Sequence, residues 1–288
     1  MSTPFTTLIS ATELRALIES GRLPVIVDTG FDLADVQAGE RAWRDGRLPS
    51  SHYLHLDAHL SAPKTGSNGR HPLPARADFA QTLGRLGITP ATQVVALDRQ
   101  GGMYAARLWW MLRWMGHDAV AVLDGGVAAW TEAHGALDHP ADPAQPSTSL
   151  DAGPYPERAA LVDTMDGDAL AARLGTVRLI DARAAERFRG DVEPLDAAAG
   201  HIPGALNRFF KLNLDGAGRF KSASDLRQEF TPLLGGQPAT AVVHQCGSGV
   251  TACHNLLAME HAGLTGSVLY PGSWSEWSAD PGRPLAKG

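Results

Sequence analysis

Cysteine is scarce in this 288-residue chain, which has only Cys246 and Cys253. Two thiols seven positions apart make neither a disulfide framework nor a four-cysteine zinc site, and they fit a reducing compartment. Basic charge is also short. Twenty-five basic side chains stand against 31 acidic ones, for a net charge of −6, and no run of five or more basic residues occurs. That excludes the electrostatic footprint of a nucleic-acid binder. Long apolar runs are missing too. The most apolar window, Leu108 to Met115, is interrupted by Arg113 and falls far below the roughly 18 residues needed to span a bilayer. Met1 to Leu14 carries no basic residue, unlike a secretion signal or an organelle transit peptide. The expectation is a cytoplasmic protein with no membrane and no nucleic-acid partner.

The remaining composition is that of a globular protein, 44% hydrophobic and 19% charged, long enough for about two domains. The chain also repeats itself. Val25-Ile26-Val27-Asp28 answers Arg178-Leu179-Ile180-Asp181, and Val94 to Asp98 answers Ala241 to Cys246. Asp124-Gly125-Gly126 with Trp130 answers Pro271-Gly272-Ser273 with Trp277. Spacings agree: Asp28 to Asp98 is 70 positions and Asp181 to Cys246 is 65. Two copies of one domain follow, residues 1–138 and 157–288. The stretch His139 to Pro156, with five prolines and no hydrophobic periodicity, reads as the linker.

Within each half, apolar strand-like runs alternate with helical patterns over Ala11 to Ser20, Arg76 to Leu86, Gly102 to Met115, Ala169 to Arg173 and Ser224 to Leu234. This predicts an α/β fold, each half a parallel sheet flanked by helices. The cluster Trp109, Trp110, Met111, Trp114, Met115 reads as a fully buried helix. Chemistry in such sheets gathers beyond the carboxyl ends of the strands.

Cys246-Gly247-Ser248-Gly249-Val250-Thr251-Ala252-Cys253 falls at such a place, between a strand and a helical pattern. Its glycines let successive N–H groups turn toward one point, and the helix adds its positive end; both favour thiolate over thiol. In the first half, Asp98-Arg99-Gln100-Gly101-Gly102-Met103 puts a carboxylate where the second has its thiol. That copy cannot do nucleophilic sulfur chemistry, and its expected role is scaffold and cleft wall. Cys253 reads as core packing. His52, His55 and His59 have helix-like spacing, but their segment reads as strand and loop, so no metal is expected. A cysteine phosphatase would need an arginine six positions after the cysteine, where this chain has Ala252.

Taken together, these motifs resemble the two-domain rhodanese family, the thiosulfate and 3-mercaptopyruvate sulfurtransferases. The likeness runs from about Leu8 to Trp277 and includes Asp181-Ala182-Arg183, Arg187-Phe188, Gly200-His201-Ile202-Pro203-Gly204-Ala205 and Gly272-Ser273-Trp274-Ser275-Glu276-Trp277. It implies two tandem rhodanese-like domains, the first inactive and the second catalytic, working without a cofactor. It also implies a double displacement in which Cys246 becomes a persulfide that a thiol such as thioredoxin, or cyanide, discharges. By the same resemblance Gly247, Gly249, Val250 and Thr251 hold the sulfur anion, Arg187 binds a small anionic donor, and Ser248, His71 and Asp57 form a proton relay. Asp181 and Arg183 are expected to support the site. A Gly-Ser-Gly sequence after the cysteine looks like the mercaptopyruvate version. The second arginine expected shortly after Arg187 is absent from Glu193-Pro194-Leu195-Asp196, which keeps thiosulfate open. A non-catalytic binding module is the rival class, and an intact Cys246 argues against it.

Overall fold

The computed structural model describes residues 3–139 and 152–288, so residues 140–151 of the stretch read as a linker lie outside the described residues. The chain divides into two compact units. The first holds Met1–Leu60, Pro74–Leu161 and Ala217–Arg219; the second holds Ser61–Leu73, Val162–Gly216 and Phe220–Gly288.

In the first unit, β1 (Leu8–Ile9), β2 (Val25–Asp28), β3 (His52–Tyr53), β4 (Val94–Leu97) and β5 (Val120–Leu123) form a sheet in the order β1-β5-β4-β2-β3, parallel throughout. Its central strands are apolar without alternation because both faces are covered. The helix Ala11–Glu19 starts at a capping box, in which Ser10 accepts from the Glu13 N–H and the Glu13 carboxylate accepts from the Ser10 N–H. It buries Leu14 and Leu17 with Ile9, Ile26, Val95 and Leu97.

The helix Ala105–Trp114 buries Trp109, Trp110 and Met111 as expected, but Trp114 is only half-buried. As the helix's last residue it lacks a following turn to cover it, and it stacks on Trp110 at 6.2 Å instead. The histidine segment also departs from a plain strand and loop. Leu56–His59 is a short helix capped by His55, whose Nδ1 accepts from the Asp57 N–H at 3.1 Å, while His59 Nδ1 accepts from the His55 N–H at 2.9 Å.

In the second unit, β6 (Arg178–Asp181), β7 (Leu206–Asn207), β8 (Val242–Gln245) and β9 (Val268–Leu269) pair in parallel in the order β7-β6-β8-β9. Leu179, Val243, Tyr270, Trp274 and Trp277 form its core with Leu170 and Ile202. The duplication read from the sequence reappears as a shared register: Asp28 pairs with Leu97 in the first sheet, and Asp181 with Gln245 in the second. Asp98 and Cys246 therefore stand at equivalent strand ends. Among the described residues, no helix is long and apolar enough to cross a membrane.

Candidate active site

Cys246 leaves the end of the fully buried β8 and is itself 2% exposed. The loop after it is shaped mainly through its carbonyls. Those of Cys246 and Gly247 accept from the N–H groups of Trp274 and Ser275 at 3.0 and 2.9 Å. Those of Gly249, Val250 and Thr251 accept from Cys253 Sγ, Cys253 N–H and His254 N–H at 3.3, 3.1 and 3.2 Å. In a planar trans peptide the next N–H points opposite to the carbonyl. The amides of Gly247, Ser248, Val250, Thr251 and Ala252 consequently turn away from those partners. Gly249 sits at φ +74°, and a Cβ there would lie 2.4 Å from the Pro271 oxygen, so only glycine fits. Neither cysteine is in a disulfide, and Cys253, buried on the helix Ala252–His261, packs in the core.

The matching loop of the first unit shows what such a turn can hold. One Asp98 carboxylate oxygen accepts from the Gln100 and Gly102 amides, both at 2.8 Å, and the other from the Tyr104 and Ala105 amides at 2.8 and 3.0 Å. The first copy thus wraps its loop around a built-in carboxylate.

Ser248 Oγ lies 2.7 Å from His71 Nδ1, and both side chains are buried. His71 reaches it because Ser61–Leu73 folds with the second unit. Asp57 belongs to the first unit, on the helix Leu56–His59.

Arg183 is a brace. It donates to the Asp181 carboxylate through Nε and Nη2, gives Nη2 also to the Gly200 carbonyl at 2.7 Å, and lies 4.7 Å over the Trp274 ring. Arg187 Nη2 donates to Glu193 Oε1 at 2.6 Å and Asp196 Oδ2 at 3.1 Å. Burial pushes the Asp196 carboxyl above the ordinary carboxylate range, opposed by Arg70 and Arg187.

Sequence reasoning passed over Arg70, Asp196 and Ser273 as site residues. The available signals were an arginine directly before His71 and two carboxylates closely following Arg187. No group of three or more His, Cys, Asp or Glu side chains able to hold a metal ion occurs among the described residues.

A rhodanese-like domain profile matches residues 10–133 and 166–280, one copy in each half. The chain belongs to the rhodanese family. It is a sulfurtransferase. A Pseudomonas aeruginosa protein named "Probable 3-mercaptopyruvate sulfurtransferase" is 44% identical, with 98% of each chain covered. The thiosulfate sulfurtransferase of Gallus gallus is 31% identical over 94% of this chain and 92% of its own. Among solved structures, 3-mercaptopyruvate sulfurtransferase from Leishmania major superposes with a TM-score of 0.83 at 29% identity, covering 96% of this chain and 75% of that one. SseA from Escherichia coli, titled a 3-mercaptopyruvate sulfotransferase, gives 0.74 at 28% identity over 94% of this chain and all of that one.

Proposed function

We propose that this sulfurtransferase takes sulfur from 3-mercaptopyruvate through a persulfide on Cys246 and hands it to a thiol such as thioredoxin, or to cyanide. Catalysis is assigned to the second half, residues 157–288, and no sulfur chemistry to the first, residues 1–138. The Cys246 thiolate attacks the donor thiol's sulfur. An S–S bond forms, the C–S bond breaks, and the proton lost by that thiol goes to the enolate carbon, releasing pyruvate. An acceptor then removes the outer sulfur and Cys246 returns as thiolate.

The observation that carries this reading is the 2.7 Å contact between Ser248 and His71, two residues beyond Cys246. Thiosulfate would release sulfite, a stable anion needing no proton. A pyruvate enolate needs one, and a serine–histidine pair beside the reacting sulfur can deliver it. Asp57 is proposed as the third relay member. Amides of Gly247 to Thr251 hold the sulfur anion, a role supported by the way the Asp98 loop binds its carboxylate. Burial of Cys246 keeps water from the persulfide. Two cysteines outside any disulfide suit a reducing cytoplasm, where thiols are at hand to accept the sulfur.

The test is kcat/KM for 3-mercaptopyruvate and for thiosulfate with one acceptor, in wild type, Cys246→Ser, Ser248→Ala and His71→Ala. Cys246→Ser should lose turnover with both donors. The relay variants should lose roughly 100-fold or more with mercaptopyruvate, and under tenfold with thiosulfate. Equal losses with both donors, or a wild type that prefers thiosulfate, would overturn the donor assignment. Full turnover by Cys246→Ser would remove the mechanism.

A further inference from the structure

His71 is carried by a stretch with no regular structure of its own: none of the described residues 61–73 belongs to a helix or a strand. Hydrogen bonds on either side of that histidine tie the stretch down. The Ala62 N–H donates to the Pro72 carbonyl at 2.9 Å, closing the stretch on itself. The Arg70 N–H donates to Ser275 Oγ at 3.0 Å, joining the stretch to the helix Ser273–Trp277.

Ser275 holds the cysteine loop as well. Its N–H donates to the Gly247 carbonyl at 2.9 Å, and its hydroxyl donates to the Gly272 carbonyl at 3.3 Å. One serine thus binds the residue before each member of the Ser248–His71 pair, Gly247 before Ser248 and Arg70 before His71. The junction is tight. A Cβ on Gly69, which sits at φ +80°, would lie 2.9 Å from the Gly272 oxygen and 3.1 Å from Ser275 Oγ. In the first half, the residue equivalent to Ser275, placed after Gly126 as Ser275 is after Ser273, is Ala128. The hydroxyl goes with the half that holds the thiol.

We infer that Ser275 is a positioning residue, whose hydroxyl sets the stretch carrying His71 in register with the cysteine loop so that His71 Nδ1 reaches Ser248 Oγ. This rests on the proton-relay reading above. Proton transfer needs hydrogen-bond distance, and a displacement of about 1 Å can lower a rate by roughly 100-fold. Loss of the hydroxyl alone spares the N–H that supports Gly247. The sulfur loop therefore keeps its shape while His71 loses its anchor.

Ser275→Ala in the full chain tests it, beside His71→Ala and the double variant, with kcat/KM for 3-mercaptopyruvate and for thiosulfate. Ser275→Ala should lose roughly tenfold with mercaptopyruvate and under about twofold with thiosulfate. Added to His71→Ala, it should cost less than about a further twofold, since an anchor without its histidine has nothing left to align. An unchanged single variant, equal losses with both donors, or the full loss repeated in the double variant overturns the inference. Should wild type turn over no mercaptopyruvate, or His71→Ala keep full turnover, the relay reading fails separately. The nitrogen NMR signal of His71 Nδ1 then decides. Movement in Ser275→Ala toward its position in Ser248→Ala supports the anchor, and an unmoved signal overturns it.

Discussion

Ser273 Oγ accepts the hydrogen bond of the Cys246 backbone N–H at 3.1 Å and donates its own to the Tyr270 carbonyl at 3.0 Å. It does so from φ +55°, the left-handed region, where the equivalent residue of the first half is Gly126 at φ +56°. An L residue in that conformation costs on the order of 1 kcal/mol, and the two hydrogen bonds of the hydroxyl offset it.

Ser273→Ala keeps that strain and orphans a buried amide, so a loss of about 2 kcal/mol is expected. Ser273→Gly also loses the hydroxyl but relieves the backbone, and should lie roughly 1 kcal/mol above the alanine variant. Urea unfolding orders the two. Alanine equal to or above glycine would show that the strain argument is wrong.

Gly249→Ala should be more damaging. The new methyl would stand 2.4 Å from a backbone oxygen at a φ that L residues avoid. Destabilisation of at least about 2 kcal/mol is expected, with persulfide formation slowed because the cysteine loop must shift. Thermal unfolding and a mass spectrum of the donor-treated protein report the two effects. A variant as stable as wild type contradicts the tight turn.

Asp98→Asn isolates the anion in the first unit. Asparagine presents an NH₂ where a carboxylate oxygen now accepts two backbone N–H groups, leaving those donors unmet. A cost of about 2–4 kcal/mol in chemical denaturation is the expected result. A neutral outcome would mean that the loop does not depend on a bound anion.

Acid sensitivity should trace in part to His244. Burial lowers its imidazole from 6.5 to about 3, so it stays neutral in the folded protein while the unfolded chain takes up a proton near its ordinary value. The unfolded state then binds more protons between those limits. Stability therefore falls as pH drops below about 6.5, by about 1.4 kcal/mol per pH unit from this one group. His52, His59 and His117 are lowered chiefly by burial as well and act in the same direction. His244→Leu should flatten the decline between pH 6 and 5 by that slope, read from urea midpoints. An unchanged slope would reject His244 as a contributor.

Much of this was legible because period and punctuation are local properties. The runs ending in Asp28, Asp98, Asp181 and Cys246 marked strand ends at which the chain had to turn, and the Gly-Ser-Gly stretch marked a tight turn in consecutive residues. The helices Ala11–Glu19, Arg76–Arg85 and Ala223–Leu234 lie within a residue of the expected patterns. Two-residue strands such as β3, β7 and β9 were not legible, since so short a segment carries no period.

The sequence by itself determined the duplication, the parallel α/β architecture and the placing of a thiol, Cys246, at the strand end where the first half carries Asp98. All of these rest on residues adjacent in the chain or related by a fixed spacing. Only the tertiary structure decided that Ser61–Leu73 folds with the second unit, so that His71 meets Ser248 and Arg70 meets Asp196. Those pairs are separated by 177 and 126 positions. Directional hydrogen bonds and charge pairing in a buried setting fix such contacts once packing has brought the segments together, and no local pattern encodes them.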